Sequence, residues 1–95
     1  MLYTLSRSPY ACDVAALLRI EQSGDDLLLL SDGVIAGLAG SAAARALNAS
    51  LLTLHALEND VVARGLFPYF SPNITIISYT DFVRLTEKQP QQLAW

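Results

Sequence analysis

The stretch Asp26-Leu27-Leu28-Leu29-Leu30-Ser31 constrains this chain more than any other. It does not alternate between apolar and polar residues. An uninterrupted apolar run of this length, closed at both ends by polar residues, predicts a strand covered on both faces, as in a parallel sheet. Parallel neighbours need crossover connections, so helices must lie between the strands.

The rest of the chain supplies them. Residues 1–5, MLYTL, predict a first strand. Ser8 as N-cap and Pro9 at the first helical position then predict a helix to about residue 23, with Val14, Leu17, Leu18 and Ala11 inward and Gly24 as its left-handed stop. After the run at 26–31 comes the corner Asp32-Gly33. The Ala-rich residues 34–48 read as helical, with Ser41 able to restart a second piece. Residues 51–57 predict a third strand, followed by a short helix to Arg64 with a stop at Gly65. Residues 66–73, with two prolines and three aromatics, read as a loop, and 74–78 as a fourth strand. Thr80 is the expected cap of a last helix that turns Phe82, Val83 and Leu85 inward and ends at Pro90. Four alternations of strand and helix predict one small three-layer α/β domain over residues 1–95, with a mostly parallel sheet and right-handed crossovers.

Composition limits what such a domain can do. Of the 95 residues, 53% are hydrophobic and only 16% charged, so the chain is globular and unusually apolar for its size. A domain this small buries only about 65% of its unfolded surface, so much of that apolar content is expected to need a partner subunit. The net charge of −3, with six scattered basic residues, argues against direct nucleic-acid binding. No stretch reaches the ~18 apolar residues of a membrane span, and the N-terminus lacks the pattern of a secretion signal. One cysteine excludes an internal disulfide and fits a reducing compartment, so the chain reads as cytoplasmic.

The chemistry-bearing residues are few. Cys12 is the one candidate nucleophile, expected near the start of the first helix, where a thiolate is favoured, although the adjacent Asp13 opposes it. Burial as a packing residue is the alternative. His55 has no second ligand or triad partner at a suitable spacing, and Gly33, Gly37 and Gly40 do not form a phosphate loop, so neither a metal nor a cofactor is expected. Asp32 reads as a helix cap, with Gly33 allowing the tight turn. A magnesium site there would need further carboxylates. Phe67, Tyr69, Phe70 and Trp95 are the interface candidates, because large rigid aromatics in irregular or terminal segments suit anchoring; covering an edge of the core is the alternative.

Five fragments in order, MLYTLSRSP, LLLLSDGV, DVVARGL, ISYTDFVRLT and the terminal LAW, resemble the TusB/DsrH family of small sulfur-relay subunits. The resemblance spans the chain. It implies a DsrE-like fold and membership of a TusBCD complex, a dimer of heterotrimers built with TusC-like and TusD-like subunits. It further implies that the complex takes persulfide sulfur from TusA and passes it towards TusE, for 2-thiolation of the wobble uridine in tRNAs for Lys, Glu and Gln. In that relay the working cysteine belongs to the TusD-type subunit. Some DsrH-type relatives carry another near the end of their first helix, where this chain reads AALLRI, residues 15–20, without cysteine. Cys12 lies earlier, which points to a non-catalytic subunit. Two other readings stay open: Cys12 as a persulfide carrier, and a stand-alone ligand module at the Asp32-Gly33 corner.

Overall fold

The computed structural model describes residues 1–95. Five strands, β1 (Leu2–Leu5), β2 (Asp26–Leu29), β3 (Thr53–Leu57), β4 (Thr75–Ile77) and β5 (Gln92–Ala94), form one sheet. Their order is β4-β3-β2-β1-β5, and every pairing is parallel. The helices are α1 (Val14–Ile20), α2 (Ala42–Asn48), α3 (Glu58–Ala63) and α4 (Tyr79–Lys88). Short 3-10 segments occupy Ser31–Gly37 and Phe67–Tyr69.

The expected α/β architecture is therefore present, and all-parallel. Each step from β1 to β4 moves one strand in the same direction, so right-handed crossovers place α1, α2 and α3 on one face. The step from β4 to β5 returns across the whole sheet. Its helix, α4, must lie on the opposite face. The main core, built on Leu5, Leu27, Leu29, Leu54 and Ala56, sits under α1 to α3; Leu2, Leu28, Ile77 and Leu85 form a smaller cluster under α4.

The run at 26–31 is shorter as a strand than expected, but Leu27, Leu28 and Leu29 are all fully buried, one face against each layer. Other boundaries move for identifiable reasons. The first helix starts at Val14 rather than Pro9, because Asp13 accepts from the Ala16 N–H at 3.0 Å and is the cap; Ser8 instead accepts from Tyr10 in the preceding turn. Its Ala11 is exposed, while Leu17 is buried. Residues 34–48 are not one helix: the 3-10 segment ends at Gly37, and Ser41 caps α2 through the Ala44 N–H. Ser78 rather than Thr80 caps α4, accepting from Asp81. Val83, expected inward, is exposed, whereas Leu85 is buried. The fifth strand was not expected at all: Gln92–Ala94 is too short and too polar for its pattern to show.

Candidate functional site

In an open α/β sheet, ligands gather beyond the C-terminal strand ends where the strand order reverses. Here that point lies between β1 and β5. The segment after β1, residues 6–13, carries Arg7 and Cys12; the residue after β5 is Trp95. Trp95 closes the crevice with its own body. Its backbone N–H donates to the Thr4 carbonyl at 2.7 Å, its indole Nε1 donates to the Asp13 carbonyl at 2.9 Å, and the ring packs against the main core. Its carbonyl accepts from Arg7 Nε at 3.5 Å.

Cys12 is half-buried beside this plug and lies in the turn before α1 rather than within its first turn. It stands immediately before the cap Asp13, near the helix start as expected but outside the helix itself. The thiol donates to the Ser8 carbonyl at 3.4 Å, and the Asp13 carboxylate is committed to capping α1, with Arg19 at 3.9 Å. No basic side chain hydrogen-bonds the sulfur. As arranged, the group is a packed hydrogen-bond donor.

The Asp32-Gly33 corner also departs from expectation. Ser31 has a left-handed backbone, φ 50°, and its N–H donates to Asp60 Oδ2 at 2.8 Å, so the capping carboxylate comes from α3. Asp32 points outward, 64% exposed, and pairs with Arg64 at 3.1 Å; Arg64 also lies 3.7 Å from Asp60. Gly33 is required for a different reason from the tight turn: a side chain there would overlap the Leu5 carbonyl oxygen. The corner is a brace between strand ends, with its charges already paired.

The aromatic segment divides. Phe67 and Tyr69 are exposed, but Phe70 is 9% exposed and belongs to the core, its ring lying where Gly37 has no side chain. This corrects Phe70 as a surface candidate. A shallow cavity of about 200 Å³ lies near the corner, lined by Pro9, Tyr10, Ile35, Leu38 and the start of α2.

At the opposite end of the sheet is a polar cluster that motif reasoning passed over. Asp26 is fully buried beneath α4. It accepts from Gln89 Nε2 at 2.8 Å and Lys88 Nζ at 3.1 Å, and meets His55 Nε2 at 2.9 Å. Burial pushes its carboxyl up, but the hydrogen bonds from Gln89, His55 and Lys88, with the lysine charge, outweigh burial and hold it below the ordinary carboxylate range. An ionised Asp26 accepts from His55 Nε2, and His55 Nδ1 is buried without a hydrogen-bond partner. Asp25 is arranged similarly. Burial raises it, and the Met1 amine at 3.1 Å, the Gln22 N–H and the Tyr3 hydroxyl lower it further than burial lifts it. Burial and the Asp25 charge push the Tyr3 hydroxyl up. The legible signal was the acidic pair Asp25-Asp26 placed directly before four leucines, since unpaired carboxylates are not buried. Nowhere do three or more His, Cys, Asp or Glu side chains approach closely enough to hold a metal. No helix is long and apolar enough to cross a membrane.

Fold and site together define a small all-parallel α/β domain whose strand-end crevice is filled by its own side chains. Comparison with known proteins gives the particular family. The model of the DsrH family, described as DsrH like protein, matches residues 7–92, and the chain belongs to that family. It is 84% identical to Protein TusB of Sodalis glossinidius (strain morsitans) and 58% identical to Protein TusB of Serratia proteamaculans (strain 568), each over 95 residues and the full length of both chains. The crystal structure of ychN protein from E. coli superposes with a TM-score of 0.74 at 19% identity, covering 99% of this chain and 97% of that one, a likeness of fold.

Proposed function

We propose that this chain is a non-catalytic subunit of a TusBCD-type sulfur-transfer complex. In this reading it is a single cytoplasmic domain over residues 1–95 that assembles with TusC-like and TusD-like subunits as a dimer of heterotrimers. The assembly takes persulfide sulfur from TusA and hands it towards TusE, for 2-thiolation of the tRNA wobble uridine. The observation that carries the reading is full-length likeness to proteins named TusB, 84% identical in the case of the Sodalis glossinidius protein.

Geometry supports the non-catalytic part. A relay thiol must ionise and meet a partner's sulfur, and nearby positive charge favours that. The Cys12 sulfur is half-buried and bonded to a carbonyl, with an acidic neighbour. Exposed apolar side chains, Tyr10, Leu51, Val62, Phe67, Tyr69 and Tyr79 among them, support an assembling subunit.

The test is Cys12→Ser in cells carrying only that chain. A hydroxyl of similar size cannot hold a persulfide, so thiolated wobble uridine, quantified by mass spectrometry, should stay close to the unsubstituted level. Native mass measurement of the complex runs in parallel. Normal assembly with thiolation abolished would make Cys12 a relay site and overturn the reading.

A further inference from the structure

The nitrogen of Met1 sits where three segments far apart in the chain meet. As an ammonium it donates to Asp25 Oδ1 at 3.1 Å and to Gln89 Oε1 at 2.8 Å. The Gln89 side chain carries the link onward, its Nε2 donating to the Gly24 carbonyl at 2.9 Å and to Asp26 Oδ2 at 2.8 Å. Backbone bonds flank this clasp: Asp26 N–H donates to the Met1 carbonyl, and Leu2 N–H to the Gln91 carbonyl. One charged nitrogen therefore ties the start of β1 to the start of β2 and to the residue that closes α4, from which the chain runs into β5.

Charge makes this nitrogen hard to replace. Asp25 is 8% exposed, and the Met1 amine is its only ion-pair partner. Its other oxygen accepts from the Gln22 N–H and the Tyr3 hydroxyl, both neutral donors. Lys88, the nearest other cation of this end of the sheet, is committed to Asp26. A buried carboxylate that loses its one cation keeps the cost of burial without the pairing that offsets it. Acylation of the nitrogen has that effect. An amide holds no charge and, with one N–H in place of three, cannot serve Asp25 and Gln89 together. Space is not the obstacle, because Met1 and Asp25 line an open cleft of about 450 Å³ with Tyr3, Ile20, Gln22 and Leu93.

We propose that the Met1 nitrogen is an acylation-sensitive site: its free ammonium fastens the return crossover, and an acyl group on it, formyl being the smallest, loosens residues 89–95 from β1 and β2. Removal of the block is a hydrolysis in which water attacks the acyl carbonyl, the C–N bond breaks, the acid leaves and the nitrogen takes up a proton. The fold thus distinguishes an unblocked nitrogen from a blocked one, and Asp25 is the group that reads the difference. The inference needs none of the sulfur chemistry proposed above and no partner subunit.

The experiment uses the full chain, joined at Cys12 from a synthetic thioester of residues 1–11 and a recombinant segment of residues 12–95, so that Met1 carries a free, an N-methyl or an N-formyl nitrogen. Methylation keeps the charge and two N–H donors, whereas formylation removes the charge. In urea the formyl chain should show an unfolding constant raised at least about tenfold, and the N-methyl chain should stay within about threefold of the free one. The Trp95 amide, bonded to the Thr4 carbonyl, should exchange faster in the formyl chain. Asp25→Asn should shrink the formyl effect to below about threefold, because no charge is then left to pair. Equal stability of the formyl and free chains overturns the proposal, as does an equal loss on methylation, which would make crowding the cause. An undiminished formyl effect in Asp25→Asn does the same; if that variant fails to fold, the methyl comparison decides. Mass measurement of the protein isolated from its native cells should find the Met1 nitrogen unmodified, and a residue or acyl group attached to it overturns the proposal as well.

Discussion

Gly33 shows how one residue was correctly singled out for the wrong physical reason. From the sequence its freedom of backbone rotation explains it; in the fold its φ is ordinary and the missing side chain is what matters, because the Leu5 carbonyl occupies that space. A backbone atom cannot move aside like a side chain. Gly33→Ala is therefore expected to cost about 3 kcal/mol or more, whereas Gly40→Ala, at φ 79° with open space around it, should cost only about 1 kcal/mol. Urea unfolding midpoints of the two variants provide the check, and equal losses would refute the overlap. Phe70 and Gly37 follow the same logic. The aromatic character of residues 66–73 was plain, but only the ring's position over Gly37 separates Phe70, in the core, from Phe67 and Tyr69 outside it.

Among the elements, caps local to one helix were readable and caps from a distant element were not. Ser41 at the start of α2 was foreseen, and Ser78 was missed by two residues because Thr80 and Ser78 both precede the same apolar stripe. Ser78→Ala is expected to cost about 1 kcal/mol and Thr80→Ala less, read from thermal unfolding. The corner after β2 is different. Asp32 looked like its cap by adjacency, but Asp60, twenty-nine residues on, accepts from the Ser31 N–H. Removing that acceptor leaves a strained turn unsupported, so Asp60→Ala should cost about 1–2 kcal/mol. Asp32→Ala removes only an exposed ion pair with Arg64 and should cost less than about 0.5 kcal/mol. The reverse order, measured by denaturant titration, would restore Asp32 as the cap.

For the whole molecule, two buried carboxylates at the start of β2 set a pH response. Asp25 and Asp26 are both held below the ordinary carboxylate range in the folded chain. Their contribution is fully present above the unfolded value near ~3.9 and is lost as pH falls through the lower folded values. Stability should therefore drop on acidification below about pH 4, and Asp26→Asn should show a shallower drop. Thermal melts from pH 7 to pH 3 test this; identical slopes for both chains would remove Asp26 from the response. Because Asp26→Asn gives up the charge-assisted bonds from Lys88, Gln89 and His55, its cost should be largest at pH 7 and shrink as the pH falls and Asp26 of the unsubstituted chain takes up its proton. What the sequence determined by itself was the alternation of strands and helices, the buried leucine run that demands a parallel sheet, and the scarcity of reactive groups, because these follow from local hydrophobic pattern and composition. Tertiary structure alone decided the place of β5 beside β1, the burial of Asp26 under Lys88 and Gln89, the bracing of Ser31 by Asp60, and the filling of the strand-end crevice by Trp95. Each of these joins residues far apart in the chain, and a local pattern carries no information about which distant segment the return crossover brings alongside.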